Sequence, residues 1–191
     1  MNLKCTTFFA IAAVAAAQQT VTSNIDVQRS TIIIHVRKAG ILSAAGHDHW
    51  ISAPIASGTI AESPVPRVAF TIETAQMTVK PDPAVDAKTQ AQIQKDMQEM
   101  TLGTKQFPAI AFQSSHVEKL SDGAWKVEGN LSLHGVTKPI RLTVKWTGTA
   151  YTAHTVLKQT DFAIKPVSVA GGLIKVANEL ELDFQIFLRP A

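Results

Sequence analysis

The sequence predicts an all-β domain, an antiparallel sandwich or a barrel of about eight strands, with one or two short helices. Three observations predict it. Apolar and polar residues alternate with period two over six separate segments, the signature of strands with one dry and one wet face. Turn-forming pairs separate these runs, and only one segment carries a helical period. Ile32, Ile34 and Val36 make an early strand, less cleanly because Ile33 is apolar too. Ser57-Gly58 and Ser63-Pro64 read as turns, and Val68, Phe70 and Ile72 then alternate with Ala69, Thr71 and Glu73. Pro81-Asp82-Pro83 opens a stretch, 84–100, rich in Ala, Gln, Lys, Asp and Glu. Within it Ile93, Met97 and Met100 fall at i, i+4 and i+7, one narrow helical face, and Gly103 is a suitable stop. Such a helix suits covering a sheet or the mouth of a barrel. Ile110 and Phe112 alternate with Ala111 and Gln113; on that register His116 shares the interior face. Val127, Gly129, Leu131 and Leu133 share the next face, and Ile140, Leu142, Val144 and Trp146 the one after. The last strand is the cleanest: Leu180, Leu182, Phe184, Ile186 and Leu188 face Glu179, Glu181, Asp183 and Gln185 across the backbone. Asp122-Gly123, His134-Gly135 and Gly171-Gly172 read as the connecting turns. A barrel leaves no sheet edge exposed, and one of this size encloses either a packed interior or a cavity for one small ligand. Gly129, small among large neighbours on its face, leaves room for a cavity.

Composition excludes several classes. The chain has 191 residues, enough for one domain, with 46% hydrophobic and 17% charged residues, so it is no disordered polyelectrolyte. Eighteen basic groups against 15 acidic give +3 without a clustered stripe, which excludes a nucleic-acid partner. Cys5 is the one cysteine, so neither an internal disulfide nor a cysteine-based zinc site can form. Residues 1–17 carry Lys4, an apolar run and Ala15-Ala16-Ala17, the pattern of a secretory signal peptide. That run is too short for a stable membrane span. The reading is a leader over 1–17 and one domain over 18–191, secreted to a periplasmic or extracellular location.

Four stretches resemble the YceI-like family, in order and at its spacing. They are Ile25-Asp26-Val27-Gln28-Arg29-Ser30-Thr31-Ile32-Ile33-Ile34, Phe107-Pro108-Ala109-Ile110-Ala111-Phe112-Gln113-Ser114, Gly129-Asn130-Leu131-Ser132-Leu133-His134-Gly135-Val136-Thr137-Lys138-Pro139-Ile140, and Thr160-Asp161-Phe162-Ala163-Ile164. The Leu-His-Gly-Val-Thr-Lys-Pro run is the most specific. The resemblance implies an eight-stranded lipocalin-like barrel whose elongated apolar interior binds a polyisoprenoid or similar amphiphilic lipid. It implies no catalytic residue and no cofactor. Two departures stand near one end of the first strand: Arg29 where the family usually has His, and the segment Gly46-His47-Asp48-His49-Trp50.

On this reading Ile34, Phe70, Ile110, Phe112, Leu131, Leu133, Leu142, Val144 and Phe184 line the cavity, although the same faces read equally well as ordinary core. Arg29, His134 and Lys138 are candidates for a polar or anionic headgroup; Arg37 and Lys38 read more simply as solvated strand-end charges. His134, next to Gly135, also reads as a turn residue making a local hydrogen bond. The alternative is a metal-binding protein or metal-dependent hydrolase using His47 and His49. Two residues apart in extended chain, their imidazoles point the same way, and His134, His116 or Asp48 would supply a third ligand. A strand edge left unpaired would support a homodimer.

Overall fold

The computed structural model describes residues 21–40, 46–63, 65–121, 123–169, 171 and 173–190. The leader read over residues 1–17, Cys5 included, lies outside them. The strands are β1 (Val21–Asn24), β2 (Thr31–Ala39), β3 (His49–Ser52), β4 (Ile55–Ser63), β5 (Arg67–Glu73), β6 (Thr78–Val79), β7 (Ala109–Lys119), β8 (Ala124–Leu133), β9 (Val136–Trp146), β10 (Tyr151–Lys158), β11 (Ser168–Val169) and β12 (Ile174–Ile186). The helix α1 (Ala87–Asp96) stands between β6 and β7.

All twelve strands join one antiparallel sheet ordered β1-β4-β5-β7-β8-β9-β10-β12-β2-β3-β6, with β11 on the edge of β12. The sheet curls until its first strand comes back against the end of β12. Ile25, just past β1, bridges Leu188, just past β12. The Asp26 N–H donates to the Phe187 carbonyl at 2.8 Å and the Arg189 N–H to the Asn24 carbonyl at 2.9 Å. The expected barrel of about eight strands is therefore present as eight staves, β2, β4, β5, β7, β8, β9, β10 and β12, of at least seven residues each. The four extra strands are short, two to four residues. They satisfy backbone groups at the rims, where runs this short leave no hydrophobic period to read.

The β8–β9 hairpin turns through His134 and Gly135, both left-handed at φ 52° and 76°. Two left-handed residues match a two-residue turn to the twist of its strands.

Three expectations need correction. Ser57-Gly58 is not a turn but lies inside β4, at a bulge between Ile55 and Ser57. A Cβ on Gly58 would stand 2.6 Å from Ile25 Cδ1 and 2.8 Å from the Ala69 carbonyl, so the glycine is required by close packing of chains. His116 is exposed: a bulge between Ser114 and His116 advances the register of β7 by one residue and turns Val117 inward instead. Met100 does not share the apolar face of the helix and is 78% exposed. After α1 the chain widens into a π turn over Met97–Thr101, where the Leu102 N–H reaches back to the Met97 carbonyl at 2.9 Å. The extra residue rotates Met100 to solvent and brings Leu102 inward in its place.

Helix α1 begins where Asp86 accepts from the N–H groups of Lys88 and Thr89. Its glutamines fasten it to the sheet edge. Gln94 accepts from the Val79 N–H at 2.7 Å and donates to the Met77 carbonyl at 2.9 Å, while Gln98 donates to the Ala75 carbonyl at 3.0 Å. These bonds satisfy edge groups that β6 would otherwise leave open. They hold Ile93 and Met97 over one end of the barrel.

Candidate functional site: an apolar chamber under the helix

Under α1 the barrel encloses a chamber of about 490 Å³. The inward faces of the staves line it with aliphatic side chains, and Ile93, Met97 and Leu102 contribute from above. Its charged and imidazole side chains are Lys38, His47, His49, Asp96 and Lys175, and Thr89, Thr101, Thr155 and the buried Gln159 add neutral polar groups. At the opposite, narrower end lies a void of about 80 Å³ beside Ile60, Val117, Trp125, Val127 and Tyr151. There the Tyr151 hydroxyl donates to the Glu62 carboxylate across the barrel. Burial, and then that carboxylate, pushes the tyrosine pKa well above its ordinary range.

Among the residues named from sequence, Ile34, Ile110, Leu131 and Leu133 line the chamber. Phe70, Leu142 and Phe184 line both the chamber and the small void. Phe112 and Val144 face only the small void. The room that Gly129 leaves on its face is already taken: a Cβ there would stand 2.5 Å from Phe112 Cζ. The three headgroup candidates lie outside the chamber lining. Arg29 stands at the other end of β2, its guanidinium 4.3 Å from the centre of the Phe187 ring. Lys138 is exposed on β9. The left-handed turn folds the His134 ring onto Phe107 at 4.3 Å between centroids, and His134 Nδ1 is buried without a hydrogen-bond partner. The expected local turn hydrogen bond of that histidine is therefore not made.

Positive charge at the mouth comes instead from Lys38 and Lys175. Lys38, read from sequence as a solvated strand-end charge, donates through Nζ to the Gly46 carbonyl at 3.3 Å and lines the rim. His47 lies with Nδ1 3.6 Å from Asp82. His49 is half-buried; burial first, and the neighbouring His47 second, lower its pKa. The imidazoles of His47 and His49 thus both reach the chamber. Among the described residues, however, no group of three or more His, Cys, Asp or Glu side chains converges as metal ligands. Asp48 is engaged elsewhere: it accepts from the Lys38 N–H at 2.8 Å, which holds its carboxyl below the usual range.

Sequence reading missed a brace on the outer wall beside the mouth. His35, 7% exposed, stacks on Trp50 with ring centroids 4.1 Å apart. Its Nε2 is 3.3 Å from Asp48 and its Nδ1 3.5 Å from Glu181. Arg37 clamps Glu181 through two bonds of 2.8 and 3.1 Å and keeps that carboxyl ionised below its ordinary range. The brace ties β2, β3 and β12 together. Its members sit on wet faces of three strands, and only the pairing register shows that they meet.

The architecture defines the class: a lipocalin-like antiparallel barrel, wide and helix-covered at one end, narrowed at the other, with an apolar interior. The YceI-like domain model matches residues 23–188, and the chain belongs to the YceI-like family. Among solved structures it is similar to a polyisoprenoid binding domain from Saccharophagus degradans implicated in plant cell wall breakdown, with TM-score 0.59 and 16% identity, covering 91% of this chain and 100% of that one. It is also similar to Burkholderia cenocepacia BcnA, with TM-score 0.57 and 15% identity over 85% and 98% of the two chains. Among curated relatives, a UPF0312 protein of Yersinia pestis is 49% identical over 47 residues. That stretch is 25% of this chain and spans 24% of the length of the relative. No helix among the described residues is long and apolar enough to cross a membrane.

Proposed function

We propose that the protein is a secreted or periplasmic binding protein, without catalytic activity, that sequesters or carries a polyisoprenoid or similar amphiphilic lipid. The tail occupies the chamber and a polar or anionic headgroup sits among Lys38, Lys175, His47 and His49. The observation that carries this reading is the chamber itself, about 490 Å³ with a predominantly apolar lining and the exposed Lys38 and Lys175 beside it. That volume lies in the range of sites for a single small molecule. Each methylene moved from water into such a lining contributes about 0.8 kcal/mol, so a long tail supplies more gross energy than tight binding needs, even after ordering costs. The fold shared with the polyisoprenoid binding domain of Saccharophagus degradans supports the same ligand class.

Native mass spectrometry of the protein purified from a secreting host, followed by solvent extraction, tests the proposal. An added mass released as a lipid is expected. Bare polypeptide that also takes up no added polyprenyl phosphate would overturn it.

A further inference from the structure

Three side chains stand between the chamber and the small void and line both: Phe70 from β5, Leu142 from β9 and Phe184 from β12. They come from three separated staves. Phe112 backs them from the narrow side, 5.5 Å from Phe70 between ring centroids. Its ring is seated over the bare backbone of Gly129. Beyond it the Tyr151–Glu62 hydrogen bond crosses the narrow end. The apolar interior is therefore longer than the chamber, and a partition of two rings and a leucine interrupts it.

We infer that this partition limits the length of the apolar tail the protein accepts, with Phe70 and Phe184 as its specificity-determining residues. The inference rests on the carrier reading above and adds what selects among tails. From Lys38 to Ile32, β2 runs along the chamber for about 20 Å at the rise of an extended strand. From Phe70 back to Arg67, β5 borders the small void for about 10 Å more. A tail entering past Lys38 and Lys175 fills the first length and meets the rings. A longer tail must leave its end in water or displace them. The partition is apolar on both faces, so it sets a limit by volume alone, without a polar group that would have to be unpaired. Shortening a ring opens a continuous channel into a space that is already apolar and mostly walled.

The test is a tail-length series, farnesyl, geranylgeranyl and undecaprenyl phosphates, competed against one fluorescent polyprenyl phosphate on the full chain. Wild type is expected to prefer one of the shorter tails over undecaprenyl phosphate. Phe70→Ala is expected to shift the ratio of affinities toward the longer tail by about tenfold, the effect of burying roughly two further methylenes. Phe70→Trp is expected to shift it the other way. Because truncating a buried ring can unfold a barrel, Phe184→Leu provides a milder variant with the same expected direction. An unchanged length preference in folded Phe70→Ala and Phe184→Leu would overturn the partition while leaving the carrier reading standing. Failure of wild type to bind any member of the series would overturn the carrier reading, and the partition with it.

Discussion

The wide and narrow ends of this barrel are made from the same staves, yet one encloses about 490 Å³ and the other about 80 Å³. Around the wide end the inward positions away from the partition carry Ile32, Ile34, Ile110, Leu131 and Leu182; around the narrow end Phe112, Trp125 and Tyr151 are added to aliphatics such as Ile60, Val117 and Val127. Both sets are apolar, so hydrophobicity does not separate a binding chamber from a packed floor. Side-chain volume does, working against a circumference that the strand number holds nearly constant. Medium-sized aliphatics cannot meet across that circumference, whereas aromatic rings can, provided the backbone yields somewhere. It yields at Gly129, whose missing side chain is the seat of the Phe112 ring.

The most damaging way to break this contrast is Gly129→Val. Its Cβ would fall 2.5 Å from both the Gln113 carbonyl and Phe112 Cζ, and a carbonyl in a paired strand has little room to retreat. A loss of about 3 kcal/mol, the upper end of overpacking costs, is expected in urea unfolding. Asn130→Val, at an exposed position on the outer side of β8, should be nearly silent.

The reverse experiment makes the wide end resemble the narrow one. Ile34→Phe combined with Leu131→Trp adds aromatic volume inside the chamber. Displacing roughly two methylenes of tail would weaken binding of a polyprenyl phosphate by about tenfold. Folding should survive, because the added volume enters a void. A competition titration reads the first effect, a thermal midpoint the second. Unchanged affinity would mean that the tail lies elsewhere.

What the sequence disclosed divides along the same lines. Alternation in β5, β8 and β12 assigns inward faces correctly because period two survives wherever a strand stays regular; in β9 it holds through Val144 but not at Trp146, which is 42% exposed at the end of the strand. It failed one residue past a bulge, which is why His116 was placed inside and is exposed. The widened turn after α1 broke the helical period in the same way at Met100. Which inward residues border space and which fill it was not legible. Phe112 and Leu131 are cross-strand partners on β7 and β8, yet one borders the small void and the other the chamber, a difference that alternation along either strand does not encode. Charge at the mouth was legible only as a residue type. Arg29 and Lys38 occupy opposite ends of one strand, and nothing in the spacing says which end opens.

A smaller effect probes the floor. Tyr151→Phe removes the hydroxyl that donates to Glu62 across the narrow end and leaves the ring tilted against Trp146, 4.7 Å between centroids. One hydrogen bond to a carboxylate that stays in contact with water contributes about 1 kcal/mol, so a modest drop in the urea midpoint is expected with lipid affinity unchanged. A matching loss of affinity would show that the floor shapes the chamber and that the two ends are not independent.

The least of these effects is a pH dependence seated at the mouth. Burial, and secondarily His47, lowers the pKa of His49 from its ordinary 6.5, while Asp82 and Asp48 act in the opposite sense. Below pH 6.5 the unfolded chain therefore takes up a proton that the folded chain still refuses. Stability contributed by the neutral imidazole is present above that pH and is lost as pH falls toward the lowered value. The carboxyls of Asp48 and Glu181 are held below their ordinary 3.8 and 4.5, so their contribution is also lost on the acid side, but in a lower window. The two windows can be separated. His49→Gln should flatten the decline in urea midpoint just below pH 6.5, by less than about 1 kcal/mol because the ring is half in water, and leave the lower decline in place. Arg37→Gln should do the opposite, since it releases Glu181. An unaltered slope near pH 6.5 in His49→Gln would mean that water reaches this imidazole freely, and the mouth would then be wetter than the chamber below it.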